Sequence, residues 1–337
     1  MARIVVELTN RCNLACAHCH DGRHGGKDDL SLEVLQRILA SAKDEGFDEL
    51  SLTGGDPTLH PEFPEILRIC AGAGYRISLV TNGWNFATIY PQLLEQRQQL
   101  DTITFSLDGA TEPTHGRLRG NDSYRRVLQA MSVCVALDLP FSINTVVTRH
   151  NQDELEDLVQ LALQMGSRGI RFGHLMPTPR TARLDLDLSP DQRKQVEQQV
   201  RKLAESFAIP VVMAPGYHTS RPFPCGPLQG KELNVDCRGN LTKCCHLSSQ
   251  GEHVGERDII ANLHDVEFHE AYRRWSDENA ALRIAKQELF SSGEMQDVER
   301  FPCWFCSLYY DKVDWLHETP NHGWTQFVRR VRPREDR

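Results

Sequence analysis

Residues 2–19 read ARIVVELTNRCNLACAHC, an apolar run broken by Glu7 that opens into a polar loop carrying Cys12, Cys16 and Cys19. Such a run, followed by polar and turn-forming residues up to Gly26, predicts a short buried strand over 2–8 that delivers a cysteine-bearing loop at its C-terminal end. Ser31 then reads as the N-cap of a helix whose Leu32, Leu35, Ile38 and Leu39 share one face and which Gly46 ends. The beat repeats, with strands at 49–53, 76–81, 102–107, 140–147 and 169–176, and helices opening near Pro61 and Pro64 and at 85–98, 123–137 and 152–164. Parallel neighbours need a crossover long enough to be a helix, so the alternation implies an α/β chain with a parallel sheet. Six units fall short of the eight of a closed barrel, which leaves a partial (βα)6, TIM-like barrel or an open sheet, with functional residues at the C-terminal strand ends.

After a helix at 189–207 and a strand at 209–213 the pattern breaks at Pro215 and Gly216. The remainder holds six of the eleven cysteines, a hairpin (232–236, a turn at 238–240, then 241–243) and helices near 265–275 and 279–290. The expected organisation is a barrel over 1–213, a smaller cysteine-rich α+β domain over 214–318 and an exposed basic tail over 319–337. A length of 337 residues agrees with about two domains, and 40% hydrophobic with 25% charged residues is ordinary globular usage. The net charge of −8 argues against a nucleic-acid partner. No apolar run approaches the ~18–20 residues of a membrane span, and Glu7 and Arg11 interrupt any signal-like pattern, so no membrane association and a cytoplasmic location are expected. An odd number of clustered cysteines without a secretory signal points to metal or redox chemistry in a reducing compartment.

Three thiolates at Cys12-x3-Cys16-x2-Cys19 can wrap one compact inorganic core, because a loop can turn all three sulfurs inward. Three ligands on a four-iron cluster leave one iron open. The competing reading is a structural zinc knuckle with His18 or His20 as fourth ligand.

The loop resembles that of the radical S-adenosylmethionine (radical SAM) superfamily. The resemblance implies that the open iron is chelated by SAM, and that one electron from the cluster cleaves the sulfonium to methionine and a 5′-deoxyadenosyl radical, which abstracts hydrogen from a substrate carbon. It implies a SAM site at the strand ends. The TGGDP of 53–57 resembles the family's GGE-like motif, with Gly54 and Gly55 admitting close backbone approach and Asp56 in place of the more usual Glu. SLDG at 106–109 resembles the ribose-contacting stretch, with Ser106 and Asp108 as candidates. By the same resemblance Thr81 and Asn82 in TNG are expected to line the same pocket, Asn144 and Arg149 are candidate contacts to the SAM carboxylate, and Leu175 and Met176 in HLMPTPR resemble the segment that packs on adenine. Arg119 either contacts substrate or pairs with Asp122. His174 is a candidate acid or base, and Glu7 and Asn10 are expected to cap the cluster loop.

In the second domain Cys225, Cys244, Cys303 and Cys306 supply four thiolates, enough for a closed four-iron or zinc site, with Cys303-x2-Cys306 expected in a tight turn. Their spacing resembles the SPASM and twitch extensions of radical SAM enzymes, and because no cysteine follows Cys306 the single-cluster twitch form fits better. Cys245 is an alternative ligand, a buried residue or a thiol hydrogen donor. Cys237 is a candidate cavity-lining residue, and Cys70 and Cys134 are expected in the core. Implied cofactors are therefore a SAM-bound [4Fe-4S] cluster, a second auxiliary [4Fe-4S] cluster and SAM. Implied partners are a small-molecule or peptide substrate and an electron donor such as flavodoxin or ferredoxin. Oxidation or cross-linking assisted by the auxiliary cluster is the expected outcome, with epimerisation through Cys245 and a non-catalytic metal-binding scaffold as alternatives.

Overall fold

The computed structural model describes residues 2–19, 26–248 and 258–331. His20 and residues 332–337 of the expected tail lie outside the described residues. Strand β1 (Ala2–Thr9) buries Ile4, Val6 and Leu8 on one face and leads into the cysteine loop. Helix α1 (Leu32–Ser41) follows, capped by the Ser31 hydroxyl, which accepts from the Val34 amide. Its Val34, Leu35, Ile38 and Leu39 are buried, as helical spacing requires of a helix laid on a sheet. The alternation continues through β2 (Phe47–Gly54), α2 (Phe63–Gly72), β3 (Arg76–Thr81), α3 (Phe86–Glu95) and β4 (Leu100–Ser106). Two helices follow, α4 (Glu112–Arg119) and α5 (Ser123–Ala136), then β5 (Phe141–Val147), α6 (Leu155–Gln164) and β6 (Ile170–His174). The barrel part closes with α7 (Pro179–Arg183), α8 (Pro190–Ser206) and β7 (Val211–Met213). Neighbouring strands from β1 to β7 pair in parallel, giving the α/β partial barrel expected.

Beyond Pro215 the chain forms β8 (Glu232–Val235), β9 (Asn240–Thr242), β10 (Ile259–Asn262), α9 (Phe268–Ser291) and α10 (Pro302–Tyr309). The hairpin does not make a sheet of its own. β8 pairs in parallel with β1, so that β10, β9 and β8 continue the barrel strands as one ten-stranded sheet. The two helices expected at 265–275 and 279–290 are one. The polar break at 276–279 bridges to the sheet side, with Glu278 3.1 Å from Lys243 and Asn279 donating to the Pro227 carbonyl at 3.0 Å, and these bonds carry the helix through. Cys303 and Cys306 sit on α10 instead of in a tight turn; Pro302 at the helix start places them one turn apart. The stretch after residue 318 is packed as far as residue 331. Trp324 is buried and donates to the Leu188 carbonyl at 2.8 Å, and Arg329 pairs with Glu299. A second apolar core of Trp304, Phe305, Phe301 and Trp324 includes Met176 from the barrel, which joins the two parts through side chains as well as through the sheet. No helix among the described residues is long and apolar enough to cross a membrane.

Candidate active site

At the C-terminal ends of the parallel strands lies a cavity of about 470 Å³, within the range of small-ligand sites. Cys12, Cys16 and Cys19 line it from the loop after β1, and Cys225, Cys244, Cys245 and Cys303 line it from the C-terminal part. Gly54, Gly55, Thr81, Asn82, Ser106, Asn144, His174, Leu175 and Met176 share this lining, as do Asn10, His18 and Arg119. Ser106, Asn144 and Arg171 are register partners on β4, β5 and β6, so they form a polar row across three strands on one face of the sheet. Arg171 escaped sequence reading, although a charge inside the apolar IRFGH strand is the mark of an inward-facing polar position.

The loop thiols are held from below. Gly55 N donates to Thr9 O at 2.7 Å and Asp56 N to Arg11 O at 2.8 Å, stitching the end of β2 to the cysteine loop. A Cβ on Gly54 would stand 2.2 Å from Thr9 O and one on Gly55 2.2 Å from Arg11 O. The glycines are thus required by this backbone contact as well as by any ligand above it. Asn10 bonds Asp28 in both directions, closing the loop's far end as expected. Glu7 instead faces the hairpin, where Asn234 donates to it at 3.2 Å.

Burial pushes the Cys12 thiol up to about 12, against the Leu14 amide that donates to its sulfur at 3.5 Å. Burial also raises Cys16, and Arg119 opposes it with Nη1 3.8 Å from the sulfur. Arg119 does not pair with Asp122. It donates to Asp108, which also receives His18 Nε2 at 3.1 Å and the Val146 amide at 2.8 Å. Burial alone would raise the Asp108 pKa, yet the adjacent guanidinium and imidazole hold the carboxyl well below the usual carboxylate range. His18 is committed to Asp108 through Nε2, while its buried Nδ1 has no hydrogen-bond partner among the described residues.

Three expected ligand contacts belong elsewhere. Asp56 is 2% exposed and lies beneath the cavity, accepting from Thr58 N, Thr58 Oγ1, Thr81 Oγ1 and Asn82 N at 2.5–3.1 Å. It positions the TNG turn, from which Asn82 Nδ2 reaches toward Cys12 Sγ at 3.9 Å. Asp108 is fully enclosed by the contacts above and props the cysteine loop. Arg149, two residues past β5, has turned over the rim, where it pairs with Asp185 at 2.8 Å and donates to the Asp187 carbonyl. Cys237 is buried and does not share the cavity lining, and Cys70 and Cys134 are core residues.

Cys225, Cys244, Cys303 and Cys306 line a second, small cavity of about 50 Å³ beneath the large one. Cys245 lines the large cavity alone. Burial raises all four shared thiols, most of them further through one another's charge, and pushes Cys306 up to about 12. Thiols raised in this way ionise on metal binding, with release of protons. Among the described residues no three His, Cys, Asp or Glu side chains stand close enough to hold a single metal ion. A four-iron cube sets its thiolates wider apart than one ion does, and the fit rests on the all-thiol donor sets gathered at two cavities.

His174 ends β6 with Nε2 3.5 Å from Glu197, which accepts from His218 Nδ1 at 2.9 Å and from the Tyr217 and His218 amides. Burial first, then Arg193, drives the His174 pKa well below its ordinary value, leaving a neutral ring at the cavity wall.

Residues 6–162 match the family model described as the radical SAM superfamily. PqqA peptide cyclase of Ruegeria pomeroyi is 30% identical over 72% of this chain and 67% of its own length. AdoMet-dependent heme synthase of Methanosarcina barkeri is 30% identical over 57% of this chain and 56% of its own. In fold, the chain is similar to Streptococcus suis SuiB bound to S-adenosylmethionine, with a TM-score of 0.64 at 15% identity over 80% of this chain and 65% of that one. The chain thus spans between about half and two thirds of the length of these relatives. A cysteine loop at the end of the first parallel strand, a cavity of ligand size above it and a relative matched across most of both chains agree on one conclusion: the chain belongs to the radical SAM superfamily, a family of enzymes that bind a [4Fe-4S] cluster and SAM.

Proposed function

We propose that this enzyme abstracts hydrogen from a carbon of a peptide substrate, and that a second [4Fe-4S] cluster on Cys225, Cys244, Cys303 and Cys306 takes up the electron left on the substrate. One observation carries the proposal: Cys12, Cys16 and Cys19 of the barrel loop and Cys225, Cys244 and Cys303 of the C-terminal part line the same cavity, so a substrate held between them faces both sets. With its cluster and SAM bound, the site supplies a 5′-deoxyadenosyl radical. The chain's own residues do the rest. Gly54, Gly55, Thr81, Asn82, Ser106 and Asn144 supply the polar contacts for SAM, and Leu175 and Met176 an apolar surface for adenine. His174 stands neutral at the cavity wall beside Glu197, where its ring offers substrate a hydrogen-bonding contact, and the proton that an oxidised substrate releases passes to solvent. The peptide class is supported by the peptide cyclase, whose match reaches beyond the residues of the family model. A flavodoxin- or ferredoxin-type donor supplies the starting electron.

Anaerobic reconstitution tests the reading. Incubation with SAM and dithionite should yield 5′-deoxyadenosine, with about eight irons per chain, falling to about four when Cys12, Cys16 and Cys19 are all changed to Ala. Zinc at the second site, or an unchanged iron count in the triple variant, contradicts it. A product peptide lighter by two hydrogens marks oxidation or cross-linking.

A second outcome is favoured by the position of Cys245, which faces the large cavity without sharing the small one. A thiol there can return hydrogen to a substrate radical, giving epimerisation. Solvent deuterium in a product of unchanged composition identifies this outcome.

A further inference from the structure

Lys286 lies on α9 one turn beyond Leu282, a residue that lines the small thiol cavity. It is only 3% exposed, and its Nζ stands 5.3 Å from the ring centroid of Phe305, the residue before Cys306 on α10. Burying an ammonium without a counter-charge costs several kcal/mol, so buried lysines are normally paired. Lys243, which lines the same cavity, follows the rule with Glu278 at 3.1 Å. Lys286 has no carboxylate within ion-pair distance among the described residues. Burial lowers the Lys286 pKa below its ordinary value, and the charges of Cys306, Cys225 and Cys303, once these thiols are ionised, oppose that lowering and favour the ammonium. Among the described residues, Glu232 acts on Cys225 and Arg193 on Cys303, and His246 lines the same cavity.

We propose that Lys286 is the counter-ion of the second metal centre: its ammonium offsets the charge of the thiolates at Cys225, Cys303 and Cys306 and raises the reduction potential of the cluster they hold. The inference rests on the assignment of these cysteines as cluster ligands under the proposed function. Reduction adds one negative charge to an already anionic thiolate-bound centre, and in a low-dielectric pocket a nearby fixed cation stabilises the reduced form more than the oxidised one. The electron comes from the carbon-centred substrate radical, which is oxidised as the cluster is reduced. Lys286 would thus make the centre a better acceptor without touching substrate.

The test is an EPR-monitored dithionite titration of the anaerobically reconstituted full chain, with the second centre identified as the signal that persists when Cys12, Cys16 and Cys19 are changed to Ala. Lys286→Met should lower its midpoint potential by about tenfold in the one-electron equilibrium, ~59 mV, whereas Lys286→Arg should keep most of the wild-type value. Loss of about four irons in Lys286→Met with retention in Lys286→Arg also supports a charge requirement. Equal potentials in wild type and Lys286→Met, with about eight irons in both, overturn the counter-ion role and leave the second cluster standing. Iron loss in both variants assigns the residue a packing role and overturns it as well. A wild-type chain with only about four irons removes the second cluster and this inference together.

Discussion

Arg119 Nη1 stands 3.8 Å from the Cys16 sulfur while the same guanidinium donates to buried Asp108. A single cation therefore serves a thiol of the cysteine loop on one side and a buried carboxylate on the other. Arg119→Met should lose stability by up to ~3–5 kcal/mol, because buried Asp108 loses its guanidinium and keeps only the His18 imidazole and the Val146 amide. It should also shed iron from the Cys12, Cys16 and Cys19 loop. Asp108→Asn combined with Arg119→Met should recover much of the unfolding midpoint but not the iron. A double variant that holds iron like the wild type would show that the Arg119–Cys16 contact is incidental.

His115 makes stability fall in mild acid. Burial, then the Arg119 charge, lowers its pKa from 6.5 to about 4, and its Nδ1 accepts from the Asp108 amide at 3.2 Å, which only the unprotonated ring can do. The unfolded chain binds a proton near 6.5 and the folded one does not until about 4, so stability is full above 6.5 and is lost as pH falls through that window. At ~1.4 kcal/mol per unit, about 2 kcal/mol should disappear between pH 6.5 and 5. His174, lowered in the same direction, adds to the loss. Urea midpoints at pH 7 and pH 5 measure the sum, and His115→Gln should narrow the gap; an equal gap in the variant contradicts the assignment.

Asp56→Ala should separate SAM binding from cluster binding. The carboxylate holds four donors of the 58 and 81–82 segments, and orphaning buried donors costs ~1–3 kcal/mol each where water cannot replace the bond. The TNG turn loosens while the three thiols stay, so iron should be unchanged and SAM affinity should drop by about tenfold, since ~1.4 kcal/mol is enough for that. Calorimetric SAM titration of the reconstituted protein reads it directly, and undiminished affinity would count against a positioning role.

Cys245 and its neighbour Cys244 should behave differently. Changing Cys225, Cys244, Cys303 or Cys306 to Ala should take about four irons from the chain, whereas Cys245→Ala should keep about eight. If the product is an epimer, Cys245→Ala should also abolish deuterium uptake from solvent. Iron loss from Cys245→Ala would make it a ligand instead.

The parallel strands were readable because most are short, largely apolar runs ended by Gly, Asp, Asn or Pro, and the loop of Cys12, Cys16 and Cys19 because three closely spaced cysteines follow the first of them. What stayed hidden was long-range or compositionally faint. Helix α4 has no apolar stripe, carries Gly116 inside it and is held by the Thr111 cap and by Arg119 reaching Asp108. The partners of Asp56 lie up to 26 residues away and that of Arg149 38 residues away, so a local motif could mark these polar residues as important without saying whether they face a ligand or the scaffold. Lys286 looks like any surface lysine of an amphipathic helix until α10 packs across it.

The pairing of β8 with β1 has a consequence for the order of events during synthesis. Arg3 meets Glu232 across 229 residues of chain, so the strand that presents the cysteine loop lacks its second neighbour until the hairpin has left the ribosome. Contacts this distant are made late. Iron–sulfur assembly machinery would thus meet a loop whose supporting strand is still open along one edge, and the last ladder to zip would seal the metal in.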